Sequence, residues 1–203
     1  MNFHYKDDTH IYTLDDAPIP SLTGMLAADG LADDLKFVKP EVVEAKRGWG
    51  SRLHLALQKV EYGFGVDPDF KQHCMEWLDL CRRMKWMRDG VPIWKNCELP
   101  ALARYEGFVF GFTPDRAHPD AIVEIKGTYS PSVSHGIQVA LQVIGMEYPR
   151  DTPRLVVYFD REGIKKVATC QPAVKRDNQQ LDVFSEAERI IFTHAKPWEE
   201  IHA

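Results

Sequence analysis

The apolar positions of this chain change period several times, and each change predicts an element. Phe3 to Tyr5 and Ile11 to Leu14 flank Lys6 to Thr9 in the manner of a small hairpin, and Pro18-Ile-Pro20 is expected to break the pairing. Ser21 and Thr23 stand before Met25-Leu26-Ala27-Ala28 as the hydroxyl caps of a helix start, a place where backbone N–H groups also favour phosphate. Pro40 announces a longer helix that runs past Trp49 and His54 to about Val60, with Leu53, Leu57 and Val60 as its stripe. Gly48 and Gly50 weaken that helix, so they mark either a break or a surface that something approaches closely. Asp67 or Asp69 starts another helix, whose Phe70, Cys74, Trp77, Cys81 and Met84 recur at helical steps before Asp89-Gly90 ends it.

Strands then take over. One run begins near Trp94 and continues through Cys97-Glu98-Leu99 to Arg104; a second, Phe108 to Phe112, pairs with it and feeds Gly111-Phe-Thr-Pro-Asp115. The turn Ala117-His118-Pro119-Asp120 folds the chain back into Ala121-Ile-Val-Glu124-Ile-Lys126. Successive strand residues face opposite ways, so Glu124 and Lys126 share one face while Val123 and Ile125 pack on the other. After the loop Gly127 to Pro131, a helix from about Ser132 to Met146 sets Ile137, Leu141, Ile144 and Tyr148 on one side, and His135, Gln138 and Gln142 on another. Leu155 to Phe159 and Ile164 to Thr169 read as a hairpin. Asn178 to Thr193 reads as a last helix, with Leu181, Phe184 and Ile191 along it and Pro197 beyond its end.

Composition changes this picture little. The 203 residues suffice for one domain with a real core, and a 44% hydrophobic, 27% charged chain is ordinary for a soluble globular protein. The expected division is an N-terminal part, about 1–90, packed on a core at about 91–203. A net charge of −5 gives no basic signature for nucleic acid and counts mildly against a polynucleotide partner. Cys74, Cys81, Cys97 and Cys170 form no Cys-x-x-Cys pair, so they read as reduced thiols rather than a zinc or disulfide framework. With neither a signal-like N-terminus nor a membrane-length apolar run, a cytoplasmic protein without membrane contact is expected.

The chemistry concentrates at Asp115, Glu124 and Lys126. An isolated Glu-x-Lys describes any half-exposed strand and its ion pair is worth little. Here, however, two carboxylates converge beside a lysine, which suits a hard divalent cation and an anionic substrate. The polar stripe of the following helix returns to the same place, and buried glutamines require polar partners.

These residues, in this order, resemble the RecB-like exonuclease branch of the PD-(D/E)XK nuclease superfamily, as found in phage-type members and in the mitochondrial genome maintenance exonuclease. The phrases are Gly50-Ser-Arg-Leu-His54, Glu98, Gly111-Phe-Thr-Pro-Asp115, Ile122-Val-Glu124-Ile-Lys126 and Gln138-Val-Ala-Leu-Gln142, preceded by His10-x-Tyr12 and Ile19-Pro-Ser21-Leu-Thr23. The resemblance implies an α/β (α+β) fold with a central mixed β-sheet flanked by helices, a restriction-endonuclease-like core. It implies Mg²⁺ or Mn²⁺ held by His54, Asp115, Glu124 and the backbone carbonyl of Ile125, with Glu98 as a further acid. Asp115, Glu124, Lys126 and Gln138 would be catalytic, and Ser21, Thr23, Gln142 and His135 would meet nucleic acid. Two departures stand out: the family's helix carries a tyrosine four residues after its glutamine where this chain has Gln142, and Cys170 is the only late cysteine, so no iron–sulfur cluster is expected. The implied activity is hydrolysis of DNA phosphodiesters, exonucleolytic in recombination, repair or replication, with DNA and a single-strand-binding or annealing protein as partners. The alternatives are a structure-specific or nicking endonuclease on the same site, and a non-catalytic DNA-binding or protein-interaction module. Polarity, strandedness and oligomeric state stay open.

Overall fold

The computed structural model describes residues 1–6, 11–31, 39–127, 131–176 and 179–201. In chain order the elements are β1 (Phe3–Lys6), β2 (Ile11–Leu14), β3 (Ala17–Ile19), α1 (Leu22–Ala28), α2 (Pro40–Glu61), α3 (Lys71–Arg83), β4 (Met87–Arg88), β5 (Val91–Pro92), β6 (Asn96–Cys97), β7 (Ala101–Tyr105), β8 (Phe108–Phe112) and β9 (Arg116–His118). They continue with β10 (Ala121–Lys126), α4 (Val133–Gly145), β11 (Arg154–Asp160), β12 (Gly163–Thr169), β13 (Ala173–Arg176), β14 (Gln179–Asp182), α5 (Val183–His194) and β15 (Lys196–Pro197).

A five-stranded sheet in the order β12-β11-β10-β9-β6 forms the centre. It is mixed, because β10 runs parallel to β11 while the other neighbours are antiparallel. The period of two assigns its faces. Ala117, Ile122, Val156 and Tyr158 pack against α1, α4 and α5, whereas Val123, Ile125, Leu155, Val157 and Phe159 pack against α2 and α3. A parallel pair covered on both faces needs apolar residues at successive positions, which is how 121–123 and 155–159 read before Glu124 interrupts the first run. Each fully buried aliphatic or aromatic side chain contributes roughly 1.5–3 kcal/mol. The expected architecture, a mixed sheet flanked by helices, is the observed one.

Two smaller sheets stack beside it. β7 and β8 pair as anticipated, but with β15 they form a separate three-stranded sheet, order β15-β8-β7, and do not extend the central one. The chain leaves the β6 alignment at Glu98, whose φ of 55° turns the backbone by a left-handed step. The N-terminal sheet, β1-β2-β3, packs on β8 through Tyr12, Leu14, Ile19 and Val109. Pro18 does not break this pairing: β3 is an edge strand, where a missing N–H is tolerated, and Tyr12 sits opposite Ile19. The tip of the β1–β2 hairpin, including His10, and loop positions 128–130 lie outside the described residues.

Helix boundaries differ at two places. α3 ends at Arg83, short of Asp89-Gly90, and those two residues instead turn the chain between the paired strands β4 and β5. The last helix begins at Val183, not near Asn178, which is itself outside the described residues; Asp182 caps it by accepting from Ser185 N at 2.9 Å, and residues 179–182 pair instead with β13. The α3 stripe is buried as expected except for Met84, which is exposed at the helix end. α2 is continuous through Gly48 and Gly50. At Gly50 the close approach is real: a Cβ on Gly127 would lie 3.3 Å from Gly50 Cα and 2.8 Å from the Trp49 ring. All four cysteines are free thiols. Among the described residues, no helix is long and apolar enough to cross a membrane.

Gly111 and Gly48 separate two roles of glycine. A Cβ at Gly111 would fall inside the Tyr12 ring, whereas one at Gly48 meets nothing. Gly111→Ala is therefore expected to lose about 1–3 kcal/mol by overpacking, and Gly48→Ala, on an exposed helical position, to gain about 0.5–1 kcal/mol. Urea denaturation of the two variants measures both.

Candidate active site

The β9–β10 turn brings Asp115 back beside β10, as its sequence predicts. Val123 lies opposite Arg116, and the Asp115 Oδ2 accepts the Ile125 N–H at 2.6 Å. Glu124 and Lys126 share a face, with Lys126 Nζ donating to Glu124 Oε1 at 2.7 Å. One helical turn apart on α4, Gln138 and Gln142 reach the same carboxylate: Gln138 Nε2 donates to Oε1 at 2.6 Å and Gln142 Nε2 to Oε2 at 2.8 Å. Gln138 Oε1 accepts in turn from Lys126 Nζ at 3.0 Å. Glu124, Lys126 and Gln138 thus form a closed triangle in which each group fixes the other two.

From the opposite side α2 supplies His54. Its Nδ1 lies 2.8 Å from Glu98 Oε1 and 3.7 Å from Asp115 Oδ1. Glu98 is not inside a strand. It occupies the left-handed turn after β6, held by Asn96, which accepts the Leu99 N–H and donates to the Leu99 carbonyl, each at 3.0 Å, and by the Glu98 N–H donating to the Pro114 carbonyl at 3.1 Å. A non-glycine residue in that conformation carries local strain, and here it aims a carboxylate into the cleft.

Two further residues build this side and are not apparent from the chain pattern. Arg116, fully buried, donates from Nε to both oxygens of Glu61 at 2.8 and 2.9 Å, and from Nη1 to Glu98 Oε1 at 2.8 Å and to the Asp115 carbonyl at 2.6 Å. Glu61 also accepts from Trp77 Nε1 at 2.6 Å. The available signal was spacing: Glu61 follows His54 by two helical turns and so lies near the same face of α2.

The charges are unevenly matched. Burial first, and the neighbouring Glu124 charge second, push Asp115 up to about 7, against the opposing pull of His54 and Lys126. Burial alone would depress His54, but the Asp115 charge and the hydrogen bond and charge of Glu98 overcome it and raise it to about 9. Glu98 is lowered: burial acts upward, and the His54 hydrogen bond, then the His54 and Arg116 charges, outweigh it. The ligand atoms of His54, Glu98 and Asp115 lie within 4.8 Å of one another. One nitrogen and two carboxylates, with a third carboxylate close by, fit a divalent cation. Glu124 is not part of that three-atom group, and its oxygens accept from Lys126, Gln138 and Gln142.

A cleft of about 670 Å³ opens over these groups, lined by His54, Glu98, Asp115, Glu124, Lys126, Gln138 and Gln142 together with Tyr5, Tyr12, Ser21 and Thr23. Ser21 caps α1 by accepting from Gly24 N at 2.9 Å, and Thr23 Oγ1 is 3.4 Å from its hydroxyl. His135 is elsewhere: its Nδ1 lies 3.0 Å from Tyr158 Oη, and it is not in the described lining of the cleft.

No protein-family model and no curated protein matches the chain. Among solved structures it is similar to a "putative exonuclease" from Eubacterium rectale, with a TM-score of 0.44 and 16% identity over 92% of this chain and 74% of that one. It is also similar to SSO0001, with a TM-score of 0.43 and 17% identity over 88% of this chain and 79% of that one. Both likenesses are distant, and the functional reading rests on the side chains of the cleft.

Two outcomes follow from the site's electrostatics. Because His54 and Asp115 hold protons up to about 9 and about 7, a cation there competes with them, so Mn²⁺ affinity should climb with pH from 6 to 9. The slope approaches about tenfold per pH unit for each proton displaced. Calorimetry should show weaker Mn²⁺ binding in His54→Gln, with the remaining climb moved to higher pH because Asp115 loses the opposing pull of His54. Arg116→Met strands buried Glu61 and removes a partner of partly exposed Glu98, and is expected to lose about 3–5 kcal/mol in urea denaturation.

Proposed function

We propose that this cleft is the active centre of a divalent-metal-dependent nuclease that hydrolyses DNA phosphodiesters as an exonuclease, of the RecB-like PD-(D/E)XK kind that the sequence resembles. The observation that carries the reading is the meeting of His54, Glu98 and Asp115 within 4.8 Å, next to a Glu124–Lys126 pair braced by Gln138. A phosphodiester gathers negative charge as it is attacked, and the site offers cationic and hydrogen-bonding groups where that charge develops. A Mg²⁺ or Mn²⁺ ion held by His54, Asp115 and Glu98 would supply Lewis acidity and a more acidic bound water.

The chain's own residues do the rest. Lys126, a quarter exposed in the cleft, presents its ammonium to a phosphate oxygen or to the attacking water. Glu124 and Gln138 hold that ammonium in one direction, so little reorganisation is needed during the reaction. Gln142 fixes the other oxygen of Glu124, so the carboxylate cannot rotate away from Asp115. Ser21 and Thr23, which also line the cleft, would meet the backbone of a bound strand.

Lys126→Ala is expected to abolish metal-dependent cleavage while leaving folding and most Mn²⁺ binding intact. End-labelled single- and double-stranded DNA, incubated with Mg²⁺ or Mn²⁺ and followed for mononucleotide release, tests this; degradation by the variant at the wild-type rate would sink the assignment. A closed single-stranded circle separates the modes, because an exonuclease that needs an end leaves it intact.

A further inference from the structure

The cleft has two unlike walls, and metal chemistry accounts for one of them. The other comes from the N-terminal sheet. Tyr5 and Tyr12 are direct partners across β1 and β2, so their rings lie on one face, 4.7 Å apart and tilted by 36°. Phe3, on the same face of β1, stacks on Tyr12 at 6.0 Å. Tyr12 is locked in place: its ring fills the space over Gly111, and its hydroxyl is 2.8 Å from Thr113 Oγ1. The backbone repeats the attachment, since Gly111 N donates to the Pro20 carbonyl at 2.8 Å. An aromatic surface is thereby fixed to the segment that carries Asp115, and half-buried Tyr5 lines the cleft beyond it.

A second observation points to a ligand in the same cleft. Gln142, 1% exposed, gives its amide N–H to Glu124, while its Oε1 is buried and has no hydrogen-bond partner. A buried acceptor left in this condition is costly unless a donor arrives. The cleft thus gathers among its lining residues a candidate cation site, the Lys126 ammonium, the Gln142 amide and the Tyr5 and Tyr12 rings. A nucleotide has the matching parts: a phosphate, base and sugar donors, and a π-face.

We propose that Tyr5, supported by Tyr12, forms a nucleobase subsite, so that the strand enters the cleft with an unstacked base against the Tyr5 ring; the ligand class is single-stranded DNA or a frayed end. The proposal rests on the nuclease reading above and adds strandedness to it. A base held in a duplex stack has no free face to offer, whereas aromatic stacking binds any unpaired base with little sequence preference.

The test is binding of a fluorescently labelled oligothymidylate in Ca²⁺, followed by anisotropy, with a strand of the same length carrying abasic residues as the control. Tyr5→Ala and Tyr5→Leu should each weaken the oligothymidylate about tenfold, Tyr5→Phe should match wild type, and the abasic strand should bind all four proteins alike. A merely structural loss at β1 would weaken both strands together, and that result overturns the subsite. So does equal affinity of Tyr5→Ala and wild type for the oligothymidylate, or no binding of it at all. Cleavage assays keep the parent reading separate: absent cleavage with this affinity pattern retained removes the nuclease but leaves the subsite, and cleavage with flat affinities does the reverse.

Discussion

The buried guanidinium of Arg116 is the interaction on which the arrangement depends. It joins α2 through Glu61, the turn after β6 through Glu98, and the backbone of Asp115 at its own strand start, so three separate stretches of chain are set relative to one another by one planar fork. Arginine suits this role because its donors lie in a fixed geometry and it stays charged when buried. Slipping α2 by one turn would move His54 by about 5.4 Å and break the Glu61 contact at the same time. The pair thus links the position of a candidate ligand to a core interaction that cannot be half made.

Charge balance explains why the site is poised for a cation. Glu61, Glu98, Asp115 and Glu124 are four carboxylates; Arg116, Lys126 and protonated His54 are three opposing charges. The deficit falls on Asp115, the acid whose ionisation burial and Glu124 resist most. Paired with strain at Glu98, this is a local cost that the apolar packing on both faces of the central sheet offsets. A divalent cation would relieve it by compensating the carboxylates and displacing protons, which ties metal binding to stability.

How much of this was legible in the sequence follows from the range of each interaction. The alternation in 121–126 sorted Glu124 and Lys126 from Val123 and Ile125, and the polar stripe of α4 put Gln138 and Gln142 on the face that returns to them. Both are local patterns with one period each. Glu98 was legible as an acid but not as a turn, because left-handed backbone at a non-glycine residue is imposed by the Asn96 bracket and by Pro114. Arg116 and Glu61 stayed hidden: a salt bridge across 55 positions leaves no periodic trace. His135 shared the helical face of the glutamines, yet nearly a full turn before Gln138 it meets Tyr158 instead of Glu124. The boundary at Val183 was missed because Leu181 continues an apparent helical stripe, while the Asp182 cap and the pairing of β14 with β13 set the actual start.

The segment from Gly111 to Asp115 gives the remaining link between fold and chemistry. Gly111 is the contact point of the N-terminal sheet, Thr113 holds the Tyr12 hydroxyl, and Asp115 carries the candidate ligand carboxylate. Within these few residues the packing of β2 on β8 and the placement of an acid beside His54 become one constraint. The N-terminal sheet is therefore more than a cover for the core. Any shift of β2 that lifted Tyr12 from Gly111 would pull on the chain that positions Asp115. The distance between the aromatic wall and the carboxylate is thus set by one short stretch of backbone, on which the Tyr12 contacts and Asp115 both sit.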